Sequence, residues 1–177
     1  LALQLDRSGC RVILWDRDTE NILQMRSAHC NERYLPGIEI PASIEIETDM
    51  LTAVKAAEHV LMVTPSHAFA SIISEIRGVL RPGQGIAWGC KGFEPGSGRL
   101  LHEVAQELLP PETPLAIVTG PSFAKEVARN LPTAVTVAGP DSKFTGVMAA
   151  ALHGGRFRAY TNDDMIGAEL GGAFKNV

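Results

Sequence analysis

Near the carboxyl end of the chain, Lys175 follows Gly171 by one helical turn in the run Gly167-Ala-Glu-Leu-Gly-Gly-Ala-Phe-Lys-Asn-Val177. Glycines inside an apolar helix cost roughly 1 kcal/mol each against alanine, so Gly167, Gly171 and Gly172 suggest that another backbone or a flat ligand comes close. A lysine on such a bare, desolvated face loses its charge easily, which suits a group that gives and takes a proton. Lys91 stands between glycines in Gly89-Cys-Lys-Gly-Phe93, where the backbone can approach a ligand and the ammonium can reach a phosphate or carbonyl oxygen. In Thr119-Gly-Pro-Ser-Phe-Ala-Lys-Glu126, Gly120 permits close approach, Pro121 fixes a helix start, and Ser122 presents a hydroxyl beside the first-turn amides. Alone, Lys91 would be a solvated loop lysine and Ser122 a helix cap; the neighbours give them weight.

Two further sites have the same character. Thr64-Pro65-Ser66-His67 places a proline near the first turn of a helix that follows a strand, where free amides and the positive dipole end favour a phosphate or a nicotinamide. Asp16 and Arg17 form a turn after another strand. In a dinucleotide-binding βαβ unit, an acid at that point accepts from the ribose 2′-hydroxyl, whereas an arginine neutralises a 2′-phosphate; this turn offers both.

The elements that must hold these residues follow from the apolar pattern. Arg11–Trp15, His59–Thr64, Gly85–Gly89 and Leu115–Thr119 are short apolar runs that read as strands buried on both faces, and Ile44–Thr48 alternates apolar with acidic residues. Further strands are expected over 132–139 and 156–160. Helices are expected over 19–30, capped by Asp18 or Thr19, then over 49–58, 68–80, 97–109 and 141–153, with a loop over 31–37. Strands alternating with helices of this length predict a doubly wound α/β fold with a parallel sheet, whose ligands sit at the carboxyl ends of the strands. Each chemically suggestive segment above follows a strand or lies on the final helix. Leu1–Leu5 reads as the last part of a helix stopped at Gly9, and the carboxyl end stops on an uncapped helical pattern, so the sequence is expected to be a fragment.

Composition removes several alternatives. The chain has 177 residues, 45% hydrophobic and 20% charged, with sixteen Lys+Arg against twenty Asp+Glu and a formal net charge of -4. No basic run offers a footprint for nucleic acid or an anionic membrane, and no apolar stretch reaches a bilayer-spanning length. Cys10, Cys30 and Cys90 are odd in number and widely spaced, suiting buried thiols in a reducing compartment. The five histidines show no metal-ligand spacing, so no metal is expected.

Taken in order, Val12-Ile-Leu-Trp15 with Arg17, Asn31 with Tyr34-Leu-Pro-Gly37, Val63-Thr-Pro-Ser-His67, Lys91-Gly92, Gly120–Glu126, Leu131-Pro-Thr-Ala134 and Gly171–Val177 resemble the bacterial NAD(P)-dependent glycerol-3-phosphate dehydrogenase family across essentially the whole chain. The resemblance implies a Rossmann-like domain over 1–160, incomplete at its amino end, and the first helix of a helical second domain over 161–177. It implies reversible reduction of dihydroxyacetone phosphate to glycerol 3-phosphate in a cytoplasmic homodimer serving phospholipid synthesis. Carried over by position, Lys175 would be the proton acceptor or donor. Lys91, Gly120 and Ser122 would meet substrate, and Arg17, Pro65, Lys91 and Ala124 the cofactor. Asp16 departs from the small residue common in relatives; the lean is to NADP over NAD. The glycine-rich loop and the residues that hold the substrate phosphate would lie outside this chain, leaving it inactive alone. The rivals are a hydroxyacid or ketopantoate reductase, against which Gly120-Pro-Ser-Phe and Tyr34-Leu-Pro-Gly37 speak, and a noncatalytic nucleotide-sensing module, which would not need Lys91 and Lys175.

Overall fold

A computed structural model describes residues 1–174. Apolar runs became strands and the amphipathic segments between them helices: α1 (Ala2–Arg7), β1 (Val12–Leu14), α2 (Thr19–Ala28), β2 (Cys30–Asn31), β3 (Leu35–Glu39), β4 (Ile44–Ile46), α3 (Met50–Ala56), β5 (Val60–Met62) and α4 (Ser66–Ile76). The remainder is β6 (Ile86–Trp88), α5 (Leu101–Leu108), β7 (Leu115–Thr119), α6 (Ala124–Ala128), β8 (Thr133–Ala138), α7 (Ser142–Leu152), β9 (Phe157–Asn162) and α8 (Met165–Phe174). Strands β5-β6-β7-β8-β9 form one sheet in that order, β1 pairs with β4 in parallel, and β2 with β3 forms a small antiparallel ribbon.

Side chains alternate across the large sheet. Ile86 and Trp88 of β6, with Leu115 and Ile117 of β7, pack on one face against Phe69 and Ile73 of α4 and Leu101 and Val104 of α5. Ala87, Ala116 and Val118 point to the other face, where Phe144, Met148 and Leu152 of α7 lie on them. Both faces are therefore covered, as a Rossmann-like doubly wound sheet requires. A third cluster joins Val12, Ile44 and Ile46 of the β1–β4 pair to Ile22 and Met25 of α2.

The departures have local causes. Neighbours in the large sheet run parallel except β7 and β8, which are antiparallel. The connection between them contains only α6, whose five residues rise about 7.5 Å and so cannot carry the chain back along the sheet. Of residues 31–37, expected as loop, 31 and 35–37 instead lie in the β2–β3 ribbon, while 32–34 form the turn between its strands. Cys90 is buried, but Cys10 and Cys30 are only half-buried, so the expectation of three buried thiols holds for one of them.

Aspartates start three of the helices. Asp18, not Thr19, caps α2 by accepting from the Asn21 amide at 3.1 Å, and Asp49 caps α3 through Thr52. Asp141 accepts from the amides of Lys143 at 2.9 Å and Phe144 at 3.0 Å. Asp141→Ala is therefore expected to lower the unfolding free energy by about 1 kcal/mol, read as a lower urea midpoint at unchanged slope.

Among the described residues one edge of β1 and one edge of β5 are left unpaired, and both strands line an apolar cleft of about 670 Å³ with Leu5, Ile76 and Met148. The cleft runs from Arg11 and His59 to Trp15 and Thr64, the full length of both strands. No helix among the described residues is long and apolar enough to cross a membrane.

Candidate functional site

The carboxyl ends of β5, β6 and β7 are tied to one another. The Gly89 amide donates to the Met62 carbonyl at 2.8 Å, and Thr64 Oγ1 lies 3.7 Å from Cys90 Sγ. Burial pushes the Cys90 thiol up, so it stays protonated and is no nucleophile. Just beyond, Gly92 takes φ +109°, a conformation that favours glycine, and its bare α-carbon faces Ser66 at the start of α4. Pro65 occupies the position before that helix, and no side chain caps its first turn. The amides there retain the positive end of the helix dipole for an anion.

Lys91 reaches across this rim. Its Nζ donates to the Gly120 carbonyl at 3.5 Å, and the same oxygen accepts from the Ser122 amide at 2.9 Å. Gly120 holds φ +151°, and a β-carbon there would stand 2.6 Å from the Ala134 carbonyl oxygen and 3.0 Å from Val135 Cα. Only glycine lets the end of β7 lie this close to β8. Lys91, Gly120 and Ser122, singled out separately in the sequence, thus share one carbonyl. Ala124 opens α6 on the same loop and is exposed.

Helix α8 arrives at this rim too. A β-carbon on Gly172 would come 2.9 Å from Thr119 Oγ1, and the Phe174 ring meets Phe93 edge-on at 6.1 Å between centroids. A close approach is therefore made at Gly172, by a threonine side chain rather than by the backbone or flat ligand expected. Gly171 faces open space among the described residues, while Gly167 makes room for Asp164, whose carboxylate accepts from the Gly167 amide at 2.8 Å. Lys175, the residue after Phe174, lies outside the described residues.

Arg17 is at the end of β1, beyond the cleft. It is exposed and makes no ion pair among the described residues. Asp16 is turned inward: one carboxylate oxygen accepts from Asn21 Nδ2 at 2.8 Å and the other from the Asp18 amide at 3.1 Å. Of the two options that turn offered, the acid is engaged in shaping the turn and the arginine points outward. No group of three potential metal ligands occurs among the described residues.

Sequence reasoning missed one polar cluster. Glu169 of α8 is 2% exposed, with Oε2 at 2.6 Å from His102 Nδ1 and Oε1 accepting from Trp88 Nε1 at 3.4 Å. The available signal was a single acid in an otherwise apolar, glycine-rich helix.

Comparison with known proteins agrees with this architecture. A glycerol-3-phosphate dehydrogenase [NAD(P)+] of Xanthomonas euvesicatoria pv. vesicatoria is 55% identical over 177 residues, covering 100% of this chain and 52% of the relative. Its counterpart in Stenotrophomonas maltophilia is 54% identical with the same coverage. The crystal structure of glycerol-3-phosphate dehydrogenase from Coxiella burnetii superposes with a TM-score of 0.92 at 42% identity, covering 97% of this chain and 52% of that one. The chain thus spans about half the length of the curated relatives it matches. Residues 1–145 match the model for the N-terminus of NAD-dependent glycerol-3-phosphate dehydrogenase, and the chain belongs to that family.

Proposed function

We propose that this chain is the cofactor-binding part of an oxidoreductase that interconverts dihydroxyacetone phosphate and glycerol 3-phosphate with NADP or NAD. The observation that carries the reading is the shared Gly120 carbonyl. It draws the Lys91 ammonium and the Ser122 loop to one strand-end rim, which the end of α8 also reaches through Thr119 and Phe93. Residues 1–160 form the dinucleotide-binding unit in this reading, and 161–177 open a helical second unit that completes the substrate pocket. The cleft between β1 and β5 suits one further parallel strand, since a strand lies about 4.8 Å from each neighbour. Such a strand would carry the glycine-rich phosphate loop.

The residues present fit a dinucleotide. The first turn of α4 is uncapped beside Pro65, and Arg17 is outward and unengaged by any acid among the described residues. When bound, the nicotinamide supplies the hydride. Lys91 holds substrate and cofactor oxygens together, Ser122 and the Gly120 backbone orient the substrate, and Ala124 leaves room for the cofactor. Lys175 protonates the ketone oxygen during reduction and takes the proton back during oxidation. In the wider reading the protein is a cytoplasmic homodimer feeding phospholipid synthesis, with a small phosphorylated substrate as its ligand.

The test is the full-length protein assayed with dihydroxyacetone phosphate and NADPH by loss of cofactor absorbance. Turnover supports the reading; a folded enzyme that binds NADPH without turning over this substrate overturns it in favour of another reductase or a sensing module. Arg17→Ala is expected to raise KM for NADPH about tenfold or more while KM for NADH changes less than about twofold, because one charge-assisted contact to the 2′-phosphate is lost. An equal change for both would remove the preference for NADP.

A further inference from the structure

We infer that Glu169 is a positioning residue: through His102 and Trp88 it sets the rotation and height of α8, and so the place of the proton-transferring lysine that follows. The inference rests on the assignment of that role to Lys175.

Glu169 is the one carboxylate among the described residues that is buried. A buried charge is expensive, and a buried ion pair adds little net stability over an apolar replacement; its best-attested use is to fix register. Helix α8 needs such a device. Apart from Glu169, the residues it buries are mostly small: Gly172 and Ala173 are buried, Ala168 is half-buried, and Met165 is the one large apolar side chain that is buried. A face of glycine and alanine offers few knobs to oppose a slide along the axis or a turn about it.

Glu169 opposes both because its two oxygens are held from different elements. Oε2 meets His102 Nδ1 of α5 at 2.6 Å, and Oε1 meets Trp88 Nε1 of β6 at 3.4 Å. His102 is 8% exposed and Trp88 is fully buried, so neither partner can follow a displaced helix. Gly172 and Ala173 lie three and four residues after Glu169, on the same face one turn on, so the lock also seats Gly172 against Thr119. Lys175 follows Glu169 by six residues in the sequence. Displacement of a reacting group by about 1 Å can cost about 100-fold in rate without altering what binds.

Steady-state kinetics of the full-length enzyme with dihydroxyacetone phosphate and NADPH test this, using Glu169→Gln, Glu169→Asp and, as reference, Lys175→Ala. Glutamine keeps the reach: its oxygen accepts from Trp88 and its amide pairs with the other tautomer of His102. Aspartate keeps the carboxyl group and loses the reach by one methylene. The expected result is kcat within about threefold of wild type for Glu169→Gln and about tenfold or more lower for Glu169→Asp, with KM for NADPH within about twofold in both. Circular dichroism confirms folding. If Glu169→Asp does not fold, Glu169→Gln still decides, because loss of kcat there of tenfold or more overturns the inference. So does a folded Glu169→Asp with wild-type kcat, or one in which kcat and KM for NADPH deteriorate together. A Lys175→Ala enzyme as active as wild type strikes instead at the underlying assignment, which separates the two failures.

Discussion

Lys175→Ala in the full-length enzyme is expected to lower kcat for dihydroxyacetone phosphate about 10²–10⁴-fold while KM for NADPH changes by less than about threefold. The ketone oxygen gains negative charge as it is reduced and needs a proton donor positioned at it. An ammonium at that oxygen both stabilises the charge and surrenders the proton. Lys175→Arg separates these two contributions, since a guanidinium keeps its charge and does not give up its proton near neutral pH; it is expected to recover less than about a tenth of the wild-type rate. The proposed role draws on the residues that precede Lys175 in the sequence, with Gly172 against Thr119 and Phe174 against Phe93. Wild-type kcat in Lys175→Ala would remove the residue from the chemistry.

How far the sequence could be read depended on the range of the interaction involved. Strands such as Leu115–Thr119 and helix caps such as Asp18 are decided within a few residues, by an apolar run or by an oxygen within reach of the next amides, and both were legible. Gly120 was legible as a point of close approach, although not that β8 was the neighbour. The antiparallel turn of β8 was not, because it depends on how far the five-residue α6 carries the chain rather than on a pattern within either strand. Tyr34-Leu-Pro-Gly37 carries loop-forming residues, yet Leu35 pairs with Asn31, so local composition gave way to a ribbon contact. The Glu169 cluster lay furthest from view: its partners stand 67 and 81 residues away, and a buried acid has no local signature beyond its oddness among apolar neighbours. The candidate site falls between these extremes. Lys91 and Ser122 each stood out by glycine and strand context, but their meeting at one carbonyl joins loops that only the sheet order brings side by side.

Gly120→Ala carries the second large effect, and here fold and function should fail together. The added methyl would stand 2.6 Å from the Ala134 carbonyl oxygen and 3.0 Å from Val135 Cα, both backbone atoms of β8 that cannot swing aside, in a conformation of φ +151° that alanine resists. Strain and overpacking of this kind each cost about 1–3 kcal/mol, so a loss of about 2–6 kcal/mol in unfolding free energy is expected from urea titration. Relief by moving the end of β7 away from β8 displaces the carbonyl that anchors Lys91 Nζ and the Ser122 amide. The folded fraction should therefore also lose about 100-fold in kcat/KM for dihydroxyacetone phosphate. Gly146→Ala serves as the control, since Gly146 lies within α7 with nothing inside 4 Å of an added methyl. There alanine should be neutral or stabilising by up to about 1 kcal/mol, with kcat/KM unchanged. Equal losses of stability in the two variants would refute the steric account of Gly120, and a destabilised Gly120→Ala with full kcat/KM would detach that carbonyl from the active rim.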